Sequence, residues 1–81
     1  MAKSLHTPEY QYLRKLLVSA RENSELTQAG VSASLGLPQS FVSKYENGER
    51  RLDVIEFIHV CLAIGIDPAS IIVEIQRKIK K

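Results

Sequence analysis

Apolar residues recur along the chain at intervals of three and four, the spacing that is typical of amphipathic helices. Leu13, Leu16, Leu17 and Ala20 follow this spacing near the N-terminus, and the periodicity returns twice in the second half of the chain. The pattern predicts an all-α fold. We expect five helices, at about residues 8–23, 27–34, 38–46, 53–64 and 68–79.

Capping residues and prolines mark where these helices begin. Thr7-Pro8 and Asp67-Pro68 each supply an N-cap followed by a proline in the first helical turn. Asp53 and Glu56 have the spacing of a capping box. Leu37-Pro38 opens the third helix without a polar cap, which leaves open the residue at which that helix begins.

The last predicted helix contains a segment whose secondary structure the sequence leaves open. Residues 71–75 are rich in β-branched side chains, which favour strands, although their spacing also fits a helix. The following residues, 74–81, sum to a net charge of +3. Such a run fits either a solvated helix end or a contact with nucleic acid.

Length and composition limit the functions that are possible. The chain has 81 residues, of which 44% are hydrophobic and 25% charged, with a net charge of +2, as expected for one globular domain. We expect residues 1–6 to form a flexible arm. Residues 7–81 should form a single domain with a helical extension over about 73–81. Because so short a domain has little room for a deep catalytic cleft, we expect no enzymatic activity.

The inventory of chemically reactive side chains is also small. Cys61 is the only cysteine, which excludes an internal disulfide, and with His6 and His59 as the only histidines it excludes a zinc finger. We therefore expect no metal and no cofactor. No apolar run approaches the roughly 20 residues of a membrane span. The N-terminus lacks a signal sequence, so we expect a cytoplasmic protein with no membrane partner.

The pattern that points to a function lies in residues 28–46. Two short predicted helices flank Leu35-Gly36-Leu37, and Gly36 permits a tight turn between them. A helix, a short glycine-containing turn and a second helix define a helix-turn-helix unit. The outer face of the second helix carries hydrogen-bonding groups without an acid, which suit the base edges of the major groove: Gln39, Ser40, Ser43 and Lys44.

The chain resembles the Cro/CI family of phage-repressor-like, XRE-type helix-turn-helix proteins. Leu26-Thr27-Gln28, Leu35-Gly36-Leu37 and the run from Val42 to Arg50 stand at the relative spacings of that family, and the similarity covers roughly residues 10–72. The resemblance implies a five-helix, repressor-like domain that binds double-stranded DNA. Proteins of this family usually bind a palindromic operator as a homodimer.

The resemblance also implies roles for individual residues. On the third helix, four residues would contact bases: Gln39, Ser40, Ser43 and Lys44. Phosphate contacts would come from both sides of the helix-turn-helix: Thr27, Gln28, Asn47, Arg50 and Arg51. Arg21 and Glu46 would form an ion pair that ties the first helix to the end of the third. Phe41 replaces a small polar residue and would contact either a thymine methyl group or a neighbouring side chain.

Four apolar residues lie outside the faces that the domain itself needs: Ile55, Leu62, Ile75 and Ile79. They predict a dimer surface, and the alternative is that the fifth helix folds over the first and covers them. The predicted function is a transcriptional regulator, most simply a repressor. An antitoxin with a toxin partner, a restriction–modification controller and a protein-interaction module of the same fold stay open.

Overall fold

The computed structural model describes residues 7–80, and the predicted arm, residues 1–6, lies outside them. Five helices are present in the described part: α1 (Pro8–Asn23), α2 (Gln28–Leu35), α3 (Gln39–Glu46), α4 (Val54–Ile64) and α5 (Pro68–Lys80). None of the residues 7–80 forms a strand. The all-α prediction is therefore confirmed, and every helix begins and ends within one residue of its predicted position.

Side-chain caps begin four of the helices: α1, α2, α4 and, through the Asp67 carboxylate that accepts a backbone N–H at 3.0 Å, α5. Thr7, Thr27 and Asp53 each accept a hydrogen bond from the backbone N–H three residues later, at 3.1, 2.9 and 2.7 Å. The predicted capping box is complete, because the Glu56 carboxylate accepts the Asp53 N–H at 3.0 Å. In contrast, α3 begins after Pro38 without a side-chain cap. The position of α3 therefore depends on its packing.

The segment that could have formed a strand is helical. Ile71 and Ile75 stand one turn apart on α5, where Ile71 belongs to the buried core and Ile75 packs against it. Farther along α5, the Lys78 ammonium lies 5.0 Å from the centre of the Tyr12 ring on α1. Burial of one helical face thus outweighs the strand preference of these β-branched residues.

The core lies where the helix-turn-helix meets the other three helices. Leu17 of α1, Val31 of α2, Val42 and Tyr45 of α3, and Val60 of α4 are each at most 1% exposed. Burial of an aliphatic side chain of this size stabilises the fold by roughly 1.5–3 kcal/mol. The core therefore fixes which face of α3 points outward.

A tight turn sets the geometry between α2 and α3. Gly36 ends α2 in the left-handed conformation, with φ at 71°. The Leu37 N–H then donates to the Ser32 carbonyl at 3.0 Å, which closes the end of the helix. Ser32 itself is only 2% exposed, as expected for a small residue where two helices approach closely. The turn places α3 across α2 with its polar face outward.

Candidate nucleic-acid interface

The outer face of α3 is polar and accessible. Val42 and Tyr45 anchor the inner side of the helix in the core, at 0% and 1% exposure. The opposite side carries three exposed polar side chains: Gln39, Ser40 and Lys44. We call these residues together with Ser43 the polar face of α3. No acidic group belongs to this face, so it can approach electronegative base edges.

Ser43 differs from the other three residues of the polar face. It is half-buried, and its hydroxyl donates to the Ser40 carbonyl at 3.3 Å. The Ser43 oxygen keeps its acceptor lone pairs. Ser43 is therefore less free to donate to a base than Gln39, Ser40 or Lys44.

Phe41 turns away from the polar face. Its ring packs edge-to-face against Tyr45, with ring centres 5.8 Å apart and planes at 71°. The Arg50 guanidinium lies 4.7 Å from the centre of the same ring. Of the two contacts expected for Phe41, the structure thus shows the one with neighbouring side chains.

An ion pair ties α1 to the end of α3. Arg21 Nε donates to Glu46 Oε2 at 2.7 Å, and Nη2 donates to Oε1 at 3.1 Å. The two side chains are 12% and 5% exposed, so the pair is largely withdrawn from water. The hydrogen bond to Glu46 is the main cause that raises the pKa of Arg21. This is the Arg21–Glu46 pair that the resemblance implies, and it holds the last residue of α3 in place.

Gln28 joins the same pair from α2. Its Nε2 donates to Glu46 Oε1 at 2.8 Å, and the side chain is half-buried. The resemblance implies that Gln28 contacts phosphate, and the second N–H of its side-chain amide remains available for that contact. The preceding residue, Thr27, is exposed, and its hydroxyl accepts the Gly30 N–H. In the absence of DNA, Thr27 therefore caps α2 and Gln28 ties the start of α2 to the end of α3.

Arg14 is absent from the residues predicted above, yet it also holds the end of α3. Its Nη1 donates to the Glu46 carbonyl at 2.8 Å. Gly48 makes room for it, because a Cβ there would lie 3.0 Å from Arg14 Cζ. The spacing of seven residues from Arg21, which places both arginines on one face of α1, is the sequence signal that could have found it. Two arginines of α1 thus hold the carbonyl and the carboxylate of Glu46.

The three residues after α3 that are predicted to contact phosphate have different surroundings. Asn47 and Arg51 are exposed, and within residues 7–80 Arg51 forms no ion pair. Arg50, in contrast, donates to both oxygens of Glu56, at 2.9 and 2.7 Å, and to the Arg51 carbonyl at 2.8 Å. Asn47 and Arg51 therefore keep their side chains available for a ligand, whereas the charge of Arg50 is already paired.

The four predicted dimer residues are exposed to different degrees. Ile55, Leu62 and Ile79 are 62%, 62% and 59% exposed, whereas Ile75 packs against the core. The alternative, in which α5 covers α1, therefore describes Ile75 but not the other three. The same helices carry further exposed apolar residues: Val54, Ile72 and Val73. A groove of about 360 Å³ between α1, α4 and α5 includes Val54, Ile72, Ile75 and Ile79 in its lining.

Residues 7–80 offer neither a metal site nor a single membrane-spanning helix. These residues contain no group of three His, Cys, Asp or Glu side chains that could hold a metal ion. None of the five helices is long and apolar enough to cross a membrane alone. Only α4 and α5 together reach that length and composition, and a bend of 120° separates them.

Comparison with known proteins gives the family. Residues 17–71 match the helix-turn-helix family HTH_3. The structure of an XRE-family like protein from Pseudomonas syringae pv. tomato is similar over 94% of this chain and 93% of that chain, with 49% identity and a TM-score of 0.88. The clp gene regulator ClgR from C. glutamicum has the same fold at 19% identity, with a TM-score of 0.76 over 90% of this chain and 95% of that chain. No curated protein is significantly similar in sequence. The chain therefore belongs to the XRE-type helix-turn-helix family of DNA-binding transcriptional regulators.

Proposed function

We propose that this regulator binds a palindromic DNA operator as a homodimer and represses transcription. The observation that carries the proposal is the polar face of α3, which is exposed while Glu46 at the end of the helix is held by Arg14 and Arg21. A helix that is fixed in orientation and presents hydrogen-bonding side chains suits the major groove of B-DNA.

The polar face would make the base contacts. Gln39 can pair with the N6 and N7 atoms of adenine, and Lys44 can donate to O6 and N7 of guanine. Ser40 can donate or accept, and Ser43 can accept through its oxygen. Each good bidentate contact would contribute about 1–3 kcal/mol of discrimination between bases.

Phosphate contacts would fix the register of α3 without specifying sequence. The start of α2 offers backbone N–H groups, the Thr27 hydroxyl and the remaining amide N–H of Gln28. On the other side of α3, Asn47 and Arg51 are exposed and can donate to the next phosphates. These contacts would make the affinity depend on salt concentration.

The dimer is supported by the composition of α4. Glu56 and His59 are its only polar residues, and a helix that is apolar on nearly all sides is normally buried. Val54, Ile55 and Leu62 are nevertheless each more than 60% exposed. A second copy that covers this surface would supply the second α3 helix that a palindromic operator requires, since helix-turn-helix dimers bind half-sites about 34 Å apart. Occupancy of an operator that overlaps a promoter is then sufficient for repression.

Selection of bound sequences from random duplex DNA tests the proposal. We expect the selected sequences to contain an inverted repeat, and the protein to sediment as a dimer at the concentrations at which it binds. Affinity for a selected operator should exceed affinity for a scrambled one and fall steeply with added salt. A pool that stays random after repeated selection, or a strict monomer at high micromolar concentration, would contradict it.

The exposed apolar surface of α4 and α5 also supports a second candidate, an antitoxin or other module that binds a different protein there. Ile79 and Val54 line the groove of about 360 Å³, which a partner helix could enter. Co-purification of one stoichiometric partner, together with loss of the self-association described above, would favour this candidate. A restriction–modification controller of the same fold would behave as the leading proposal predicts and be distinguished by the gene that its operator precedes.

A further inference from the structure

Arg50 is one of the cations expected to contact phosphate, yet the structure gives its guanidinium three neighbours inside the protein. One face of the guanidinium lies on the Phe41 ring, 4.7 Å from its centre. Its edge meets Glu56 through two hydrogen bonds of 2.9 and 2.7 Å. A third bond, of 2.8 Å, goes to the Arg51 carbonyl. We call Phe41, Arg50 and Glu56 the Arg50 clamp.

Few donors of Arg50 remain for a phosphate. Both N–H groups of Nη1 and one of Nη2 are used, which leaves Nε and a single Nη2 hydrogen out of five donors. The neighbouring carboxylate is also firmly ionised, because Arg50 and the Asp53 N–H lower the pKa of Glu56 to about 2. A phosphate that approached Arg50 would therefore meet the negative charge of Glu56.

The clamp connects two elements that must keep a fixed relation if DNA is to be bound specifically. Phe41 belongs to α3, on the side turned from the polar face and next to Tyr45. Glu56 belongs to α4, where its carboxylate also completes the capping box with Asp53. A planar guanidinium that stacks on a ring and pairs with a carboxylate has a defined orientation. Arg50 thus joins the first half of α3 to the start of α4.

We infer that Arg50 is a positioning residue for α3, and that it acts through Phe41 and Glu56 rather than through a DNA phosphate. The inference deepens the proposed function and rests on it. Arg51, the next residue along the chain, is exposed and serves as the matched control, because it is the arginine of this pair that would contact phosphate.

The test compares Arg50→Ala, Glu56→Gln, the double variant and Arg51→Ala. Binding to a selected operator and to scrambled duplex is measured over a range of salt concentrations. We expect Arg50→Ala and Glu56→Gln each to weaken operator binding by about three- to tenfold, with the double variant no weaker than either single one. Scrambled DNA should be bound almost as before, and the slope of log K against log salt should not change. Arg51→Ala should weaken binding to both DNAs and reduce the slope by about 1.8, which is about 0.9 for each subunit of the dimer.

The opposite pattern would overturn the inference. If Arg50 contacts phosphate in competition with Glu56, Glu56→Gln binds as tightly as wild type or more tightly, and Arg50→Ala reduces the salt slope by about 1.8, about 0.9 for each subunit. Arg50→Lys keeps the charge but cannot pair bidentately with Glu56. It replaces Arg50→Ala in the test if the alanine variant does not fold. We expect Arg50→Lys to bind the selected operator as weakly as Glu56→Gln does. Operator binding equal to that of wild type would contradict the clamp.

Failure of the proposed function gives a different result. In that case wild type itself shows no salt-dependent preference for any duplex. Thermal unfolding of the four proteins of the Arg50–Glu56 cycle then tests the clamp alone. Additive changes in unfolding free energy would show that the two side chains do not act together, and would overturn the inference without reference to DNA.

Discussion

Gln28 Nε2 and Glu46 Oε1 lie 2.8 Å apart, so the first residue of α2 donates a hydrogen bond to the last residue of α3. Arg21 of α1 donates to the same carboxylate through two nitrogens. One carboxylate therefore joins three helices. Its partners come from sequence positions 25 and 18 residues away, which makes it a long-range constraint on the helix-turn-helix.

Arg21→Ala should lower the free energy of unfolding by about 3 kcal/mol, because it leaves a buried carboxylate without its counter-charge. Glu46 is only 5% exposed, so water cannot replace the lost partner well. The control is Arg77→Ala, which removes an ion pair whose side chains are 72% and 43% exposed. That change should cost less than about 0.5 kcal/mol. Urea unfolding measures the free energy of unfolding of both variants. Equal losses of stability would contradict the role given to Arg21.

Gly48→Ala should destabilise the fold more than Gly36→Ala. Both glycines have positive φ, at 80° and 71°, so each alanine carries backbone strain of about 1–3 kcal/mol. Only at position 48 would the new Cβ also meet a neighbour, Arg14 Cζ at 3.0 Å. The difference between the two variants in the free energy of unfolding measures the cost of the close approach between position 48 and Arg14. If Arg14→Ala does not reduce that difference, the contact is not its cause.

The stability of the chain should depend on pH through Glu56. The pKa of this carboxyl is lowered from 4.5 to about 2 in the folded protein, so it binds a proton less readily there than in the unfolded chain. Its stabilising contribution is complete above pH 4.5 and is lost as the pH falls from 4.5 towards 2. Thermal unfolding of wild type and Glu56→Gln across this range gives the contribution as their difference. We expect the difference to shrink on acidification, and a constant difference would contradict the lowered pKa.

Lys44→Ala should relax sequence preference. Loss of a base contact should weaken binding to the selected operator by about 1–3 kcal/mol for each half-site and have a much smaller effect on scrambled DNA. Lys80→Ala removes the same charge from α5, outside the helix-turn-helix, and should leave the ratio of the two affinities unchanged. Equal effects of the two substitutions on that ratio would mean that the polar face of α3 is not the base-contacting surface.

Ile79→Lys should weaken the proposed dimer without unfolding the monomer, because this side chain is 59% exposed. Loss of one buried isoleucine should raise the dimer dissociation constant at least about tenfold. Val73→Lys is the control, since Val73 is 43% exposed on the same helix but is neither one of the four predicted dimer residues nor part of the groove between α1, α4 and α5. Sedimentation at several concentrations compares them. A dimer that tolerates Ile79→Lys as well as Val73→Lys would have to use another surface.

The helices could be predicted closely because their start signals are local. Thr7 and Asp53 cap within one turn of their own position, and Gly36 ends α2 without reference to the rest of the chain. The preference of residues 71–75 was ambiguous because strand propensity and helical spacing disagreed there. Residues 71–75 are helical because this conformation lets Ile71 and Ile75 pack into the core together.

The contacts of the site were harder to predict, because residue type gives charge but not direction. Arg50 and Arg51 are adjacent arginines, yet one stacks on Phe41 and pairs with Glu56 while the other stays exposed. That difference depends on how α3 and α4 pack, which no local pattern contains. The contact of Arg14 with the end of α3 likewise depends on Gly48, which lies 34 positions later in the sequence but next to Arg14 in the fold.

The shortness of α3 has a consequence for how the protein loses its activity. This helix has eight residues and no side-chain cap, and a helix of that length is marginal in water by itself. It is maintained by side chains of α1, α2 and α4, so a partly unfolded chain would not present a recognition surface. Melting of the fold and release of an operator should therefore coincide in one cooperative transition, and a bound operator should raise the temperature at which that transition occurs.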